Sequence, residues 1–373
     1  MTFIDFIKIL LLWPFSLLYR LIMELRAEAY KTGLFRSHKA SVPVISIGNL
    51  VAGGTGKTPM AIHMAQTLMD QGFRTAVLSR GYKRKATLRQ CSGQESSHRC
   101  SGVPLLRQNQ KANTQVASDG ISILCLADEA GDEPFLMASR LLGTKERPGA
   151  MVIVGRDRVA GAKKAVEMGA QVIVLDDGFQ HLRLKRDLDI LLLDGQRPYD
   201  NGWLLPAGML REPVRALRRA DAIVMTRHKN LNTKYRIQNS VAAMFKTRHK
   251  TGQPYKFGDR AAPGLEALKS SRIILFSGIA RPESFEQSVR QAGLSFVAHL
   301  KYPDHHHYTL GQLKQIAKKA EECDCLLTTE KDAVKLPPGI NLGKPLFVLP
   351  VEIEFLDEDQ KQRFNQLLLD GVK

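Results

Sequence analysis

The chain is short of cysteine, of acids relative to bases and of long hydrophobic runs, and these shortages narrow what it can be. Five Cys in 373 residues are too few and too irregularly spaced for a disulfide scaffold of the secreted kind. Cys323 and Cys325 form a C-x-C pair, and Cys91 and Cys100 flank a basic stretch. Neither pair has a second half at zinc-like spacing, so reduced thiols are expected. No run of 18 apolar residues occurs and mean hydropathy is −0.18, which excludes a polytopic membrane protein. The remainder, 44% hydrophobic and 24% charged, is ordinary globular composition at a length that suits two domains. Charge is the unusual feature: 54 Lys and Arg stand against 37 Asp and Glu, a net +17. Such a surface seeks nucleic acid, an anionic bilayer or a phosphorylated substrate, and charge alone does not choose among them.

The first residues are mostly apolar yet fit neither a signal peptide nor a spanning helix. Asp5 and Lys8 interrupt the segment, Arg20 and Glu24 close it, and no small-residue cleavage site follows. Its longest uncharged run, 9–19, has 11 residues, whereas crossing the hydrocarbon takes about 20. On a helical wheel Asp5, Lys8, Ser16 and Arg20 gather on one side and Phe3, Phe6, Leu10, Leu17 and Leu21 on the other. The apolar arc is wide for a helix that merely covers its own core, so a membrane-associated amphipathic helix within 1–40 is the favoured expectation. Trp13, Tyr19 and Tyr30 would sit at headgroup level, with Arg26, Lys31, Arg36 and Lys39 as cations for anionic lipid. Pro14 should kink or break the helix.

From residue 41 onward short apolar runs alternate with helical patterns. Strands are expected at 42–47, 75–78, 121–126, 151–154, 171–175, 188–193 and 222–225, and a helix at 59–71. Continuous apolar strands between helices predict an α/β fold with a mostly parallel sheet covered on both faces. Between 80 and 111 eight Lys or Arg accompany one acid, Glu95, which reads as a long basic loop. Composition turns polar after about residue 227. A helix is expected at 234–245, and a second, smaller α/β unit follows with strands at 273–276, 295–300, 325–328 and 345–351 and helices at 282–291 and 310–322. The expected division is 1–40, 41–228 and 229–373.

The strongest chemical signal is a strand that ends in Gly48-Asn-Leu-Val-Ala52 and turns through Gly53-Gly-Thr-Gly-Lys-Thr58 into a helix. This is the P-loop arrangement, in which backbone N–H groups and a helix N-terminus cradle phosphates. Gly53, Gly54, Thr55 and Gly56 would form the cradle, Lys57 would reach the β and γ phosphates of ATP, and the Thr58 hydroxyl would hold Mg²⁺. Val51 stands where the usual pattern has its first Gly. A second apolar strand ends in Asp176-Asp177-Gly-Phe-Gln-His181, an expected source of a Mg²⁺ carboxylate from either Asp. Asp132, in Gly131-Asp-Glu-Pro134, opens a helix and serves equally as an N-cap or as a carboxylate aimed at the nucleotide pocket. In Tyr302-Pro-Asp-His-His-His-Tyr308 adjacent His side chains point different ways and rarely chelate one ion. Asp304 would instead orient His305 as a base or proton relay, or the stretch is a solvated loop.

Taken together these pieces resemble the tetraacyldisaccharide 4'-kinases of lipid A biosynthesis. The likeness rests on 48–59, Leu78-Ser-Arg-Gly-Tyr82, Gly131-Asp-Glu-Pro134, Val154-Gly-Arg-Asp-Arg158, Leu175-Asp-Asp-Gly-Phe-Gln-His181, Leu205-Pro-Ala-Gly-Met-Leu-Arg-Glu-Pro213, Asp304-His305 and Thr328-Thr-Glu-Lys-Asp332, in that order along nearly the whole chain. The resemblance implies a P-loop kinase that moves the ATP γ-phosphate to the 4'-hydroxyl of tetraacyldisaccharide 1-phosphate, as a peripheral or monotopic protein at the cytoplasmic face of the inner membrane. It implies Asp132 and His305, with Lys57, as catalytic residues and Asp176 and Asp177, with Thr58, in the metal region. Arg80, Tyr82, Arg158, Gln180, Arg211 and Glu212 would line the substrate or transition-state site. The segment 83–115 departs from the family pattern. A partitioning-type P-loop ATPase is the rival reading, but it would carry Lys where Ala52 stands. Nucleic-acid binding has only charge in its favour, with no recognised module, and is not expected.

Overall fold

The computed structural model describes residues 3–81, 114–227, 242–259 and 265–373. It opens with helix α1 (Phe3–Lys31), which runs through Pro14 without a break, so of the expected kink or break the break does not occur. Strand β1 (Val44–Asn49) is buried at every position and feeds the glycine-rich turn, after which α2 (Lys57–Asp70) begins. β2 (Thr75–Ser79) follows, then β3 (Thr114–Ser118), α3 (Ala127–Ala130), α4 (Asp132–Arg140), β4 (Met151–Gly155), α5 (Arg158–Glu167), β5 (Val172–Asp176), β6 (Leu188–Asp194), β7 (Ala222–Thr226) and β8 (Ala243–Thr251).

Among the described residues a nine-stranded sheet has the order β14-β8-β7-β6-β1-β5-β2-β4-β3, where β14 (Val351–Phe355) is the last strand of the chain. Its inner strands are parallel, while β3 on β4 and β14 on β8 are antiparallel edges. β1 lies between β5 and β6, so successive connections leave it in opposite directions. In open α/β sheets that reversal leaves a crevice at the carboxyl ends of the strands, where ligands bind. The carboxyl ends of β1, β5, β2 and β6 carry the glycine-rich turn, Asp176 with Asp177, Ser79 with Arg80, and Asp194.

A second sheet, ordered β11-β10-β12-β13-β9, is built from β9 (Tyr255–Lys256), β10 (Ile273–Ser277), β11 (Ala298–Lys301), β12 (Cys325–Thr329) and β13 (Leu346–Leu349). Helices α6 (Leu265–Lys269), α7 (Pro282–Gln291), α8 (Leu310–Ala320) and α9 (Glu330–Ala333) accompany it, and α10 (Glu358–Asp370) ends the chain.

Several expectations are corrected. Residues 121–126 are not a strand: the Asp119 carboxylate accepts from the Ile121 and Ser122 amides at 2.8 and 2.7 Å, and Gly120 has φ +92°, so the chain turns there. The strand is β3, whose polar Thr114, Gln115 and Ser118 suit a sheet edge. The helix expected at 234–245 falls outside the described residues up to 241, and its last three residues open β8, which alternates buried Phe245 and Thr247 with exposed Met244 and Arg248. The basic loop 83–115 lies outside the described residues but for its last two, which belong to β3. The apolar run 345–351 is two strands, because Pro350 cannot donate to a ladder and the chain leaves the second sheet there. A single cut at 228 therefore does not describe the sheets: β8, β14 and α10 all lie on the first. Phe364 of α10 packs edge-on to Phe245 at 5.2 Å between ring centroids and against Phe355 at 5.1 Å, burying aromatic surface that a polar-looking tail does not advertise.

Close approach fixes one glycine. A Cβ on Gly48 would stand 2.5 Å from the Phe179 Cβ, so β1 and the turn after β5 touch backbone to side chain. Gly48→Ala is expected to destabilise the protein by about 1–3 kcal/mol, the usual cost of overpacking. A urea midpoint equal to that of the parent protein would show that the contact relaxes freely.

Candidate active site

Two groups of side chains face the crevice. The first surrounds the glycine-rich turn. Gly53 and Gly56 have φ of +126° and +89°, values only glycine adopts without strain, and Gly56 caps α2 so that the amides at its N-terminus point outward. Asn49 ties the turn together: its side-chain amide donates to the Val51 carbonyl at 2.7 Å and to the Thr55 hydroxyl at 3.0 Å. Thr55 and Thr58 are buried. Gly54 has open space where a Cβ would stand, so its backbone is accessible from the crevice.

Lys57 leans across to Asp177, with 3.6 Å between its Nζ and Oδ1. Arg211 grips the same carboxylate, one guanidinium nitrogen lying 2.9 Å from each oxygen. Burial works against ionisation of Asp177, but Lys57 and Arg211 outweigh it and hold its carboxyl below the usual range. Asp177 also sits at φ +51°, a conformation uncommon outside glycine and frequent at functional sites. The adjacent Asp176 behaves oppositely. Burial first, then the like charges of Glu133 and Asp177, push its carboxyl up to about 6. Its Oδ2 accepts from Ser79 at 2.9 Å, while its Oδ1 is buried without a hydrogen-bond partner.

The second group joins the two sheets. Asp132, at the start of α4, meets His305 from the loop after β11: Oδ2 and Nδ1 are 3.0 Å apart. His305 has φ +60°, and its Nε2 stands 3.9 Å from Asp304 Oδ2. Burial raises the Asp132 carboxyl, but the His305 hydrogen bond and the Lys335 charge reverse that and leave it below the usual range. Glu133 links the two groups. It is paired with Lys331 at 2.6 Å, and it interacts electrostatically with Lys57, His305 and Asp176. Among the described residues no three His, Cys, Asp or Glu cluster as a ready metal cage.

The remaining predicted residues fall in different places. Arg80 is exposed at the end of β2, and Tyr82 lies outside the described residues. Arg158 is 4% exposed and donates to the Gly155 and Asp176 carbonyls. The Gln180 side chain donates to the Asn49 carbonyl at 2.9 Å and braces the turn. Glu212 is 3% exposed and paired with Arg219 at 2.7 Å, with burial raising its carboxyl above the ordinary range. Sequence reasoning assigned no part to Asn49, Glu133 or Lys335. The first two stand inside quoted motifs, and Lys335 lies three residues beyond one.

Comparison with known proteins follows the same lines. A family model described as Tetraacyldisaccharide-1-P 4'-kinase (LpxK) matches residues 8–122 and 107–372. The chain is 41% identical over 329 residues to the tetraacyldisaccharide 4'-kinase of Pelobacter propionicus, covering 87% of this chain and 82% of that one. It is 40% identical over 381 residues to the enzyme of that name from Syntrophus aciditrophicus, covering 98% and 93%. The crystal structure of the "apo" form of LpxK from Aquifex aeolicus in complex with ATP is similar over 97% of this chain and 98% of that one, with a TM-score of 0.73 and 31% identity.

Two histidines near the site make stability depend on pH. Burial, aided by nearby Arg charges, lowers His181 and His249 to about 4 from 6.5. The unfolded chain takes up these protons near pH 6.5, while the native protein refuses them until about pH 4. Their contribution is therefore complete above pH 6.5 and lost as pH falls toward 4. His249 lies against Gly56, where an added Cβ would approach its Nε2 to 2.6 Å. The melting temperature should drop across this window, and His249→Gln should drop less. Equal losses in both proteins would remove His249 from the account.

Proposed function

The chain belongs to the tetraacyldisaccharide 4'-kinase family, and from that premise we propose that it moves the γ-phosphate of ATP to the 4'-hydroxyl of tetraacyldisaccharide 1-phosphate. The carrying observation is the Asp132–His305 contact at 3.0 Å, coupled through Glu133 to Lys57. A sugar hydroxyl is a poor nucleophile, and a phosphoryl donor carries concentrated negative charge. Catalysis then needs a base beside the acceptor, cations beside the donor and accurate placement of both.

In this reading the turn 53–58 is a P-loop. Its backbone amides and the N-terminus of α2 hold the phosphates, and Lys57 leaves Asp177 to meet the β and γ oxygens. The Asp132–His305 pair removes the proton of the 4'-hydroxyl, whose oxygen then attacks the γ-phosphorus. The bond from that phosphorus to the β–γ bridging oxygen breaks, and ADP leaves with the electron pair. Arg211 keeps Asp177 ionised and in place. A Mg²⁺ ion fits the residues present, because Asp176 offers a buried oxygen with no hydrogen-bond partner and the turn offers the buried Thr58 hydroxyl. With Asp177 in reserve, these groups would hold the ion, which would neutralise charge on the phosphates.

We read the second sheet as a unit that brings His305 to the first. We read α1 as a monotopic anchor at the cytoplasmic face of the inner membrane, where the acyl chains of the substrate reside. Leu11, Phe15, Leu18, Ile22 and Leu25 recur at spacings of four and three and are 66%, 62%, 57%, 52% and 62% exposed, a stripe that water does not favour. No helix among the described residues is long and apolar enough to cross a membrane. A partitioning-type ATPase would have no use for a base aimed at a sugar.

With labelled ATP and the lipid, Lys57→Ala should lower transfer by about 10³-fold or more, through lost charge stabilisation. Asp132→Ala should lower it by about 10²-fold or more. Near-normal turnover in either variant refutes the role given to that residue. Replacing Leu11, Phe15 and Leu18 with Ser should reduce sedimentation with anionic phospholipid vesicles and leave ATP affinity unchanged; undiminished sedimentation argues against the anchor.

A further inference from the structure

The short helix α9 carries charges that match α4 across the junction of the two sheets. Glu330 meets Arg140 at 3.0 Å, Lys331 meets Glu133 at 2.6 Å, and Lys335, just past the helix, stands 3.8 Å from Asp132. Each charge on one side thus faces its opposite on the other. The last pair differs from the others. Lys335 is a buried cation, its side chain 2% exposed, and Asp332 already neutralises it at 3.1 Å. Asp332 is itself fully buried and fixed by three further contacts. Its Oδ1 accepts from the Tyr308 hydroxyl at 3.0 Å, its Oδ2 from the Thr329 hydroxyl at 2.7 Å, and its amide donates to the Thr329 oxygen at 3.2 Å. A buried charge pair with every member held this way is costly to build and rigid once built. Lys335 therefore needs no second carboxylate for its own burial, yet it presents its ammonium to the carboxylate that meets His305 Nδ1 at 3.0 Å.

We propose that Lys335, seated on Asp332, is a positioning residue for phosphoryl transfer: it keeps Asp132 charged and aimed at His305, so that the second sheet supplies the support for the base as well as the imidazole. This deepens the kinase reading and rests on it. Lys335 touches no reacting atom and acts through Asp132. The groups facing Asp132 are His305 and His307 from the loop after β11, Lys331 on α9 and Lys335 beyond it. Removing Lys335 leaves the carboxylate buried with only its histidine neighbours and the more distant Lys331, which is engaged with Glu133. Its ionisation then requires higher pH.

The test compares kcat, KM for ATP and the pH profile in the full-length protein and its variants. Lys335→Met should lower kcat by about tenfold or more, because a carboxylate no longer held toward His305 misplaces the base, with KM for ATP within about twofold. The acid limb of its kcat profile should move to higher pH, and Lys335→Arg should restore part of both. In an Asp132→Asn background, Lys335→Met should cost less than about twofold, because its target is gone. If Lys335→Met does not fold, Asp332→Asn with Lys335→Met removes both buried charges together and is read by the same criteria. Parent-like kcat and pH profile in Lys335→Met overturn the proposal, as does a loss that persists undiminished on Asp132→Asn. An Asp132→Asn protein that retains full turnover instead overturns the reading of Asp132 on which the proposal rests.

Discussion

One hydrogen bond organises this molecule: the 3.0 Å contact between Asp132 and His305, which lie 173 residues apart. Neither residue does much alone. An aspartate at the start of a helix is an ordinary cap, and a histidine in a loop titrates with solvent. Brought together in a part-buried place, they become a pair able to take a proton from an alcohol. That juxtaposition requires two sheets, a loop with His305 at φ +60° and a charged helix, α9, that holds α4 from the other side. The fold is the apparatus that brings these two side chains to the crevice that holds the glycine-rich turn.

Electrostatics divides labour among four neighbouring carboxylates. Asp177 and Asp132 have cations or a histidine at hand and ionise readily, whereas Asp176 has two like charges and deep burial and is pushed up to about 6. Glu133 is held charged by Lys331 despite its burial. Environments that push adjacent acids apart suit them to different tasks, which in the proposed mechanism are a counter-ion for Lys57, a member of the base, a metal ligand and an electrostatic link between the two groups. The net charge of +17 is thus accompanied by a concentrated set of acids in the crevice, of which Asp177, Asp132 and Glu133 face cations and Asp176 faces like charges. In the proposed mechanism an incoming nucleotide exchanges the Lys57–Asp177 pairing for contacts with its phosphates.

What the sequence disclosed was local. The β1–turn–α2 passage was legible because strand, glycines, Lys57 and Thr58 are contiguous, and the parallel core was legible because its strands are apolar throughout. The pairing of Asp132 with His305 came from family resemblance, not from spacing, since nothing between residues 132 and 305 encodes their distance. The rest was hidden for physical reasons. β3 is polar because it is an edge, β8 is half charged because one face meets solvent, and β14 was masked by its continuity with β13 across Pro350. Gln180 and Arg158 were assigned to the substrate site by family resemblance, and nothing in the sequence signals that both donate to backbone carbonyls. Lys335 could be valued only once the partner of Asp332 was visible.

The most direct measurement is a double-mutant cycle on kcat with Asp132→Asn, His305→Gln and both together. If the two side chains form one functional unit, each single change costs about 10²-fold, and the double variant is scarcely slower than either single. Losses that multiply in the double variant would mean that the two residues act independently, and a base assembled across the two sheets would then be the wrong account.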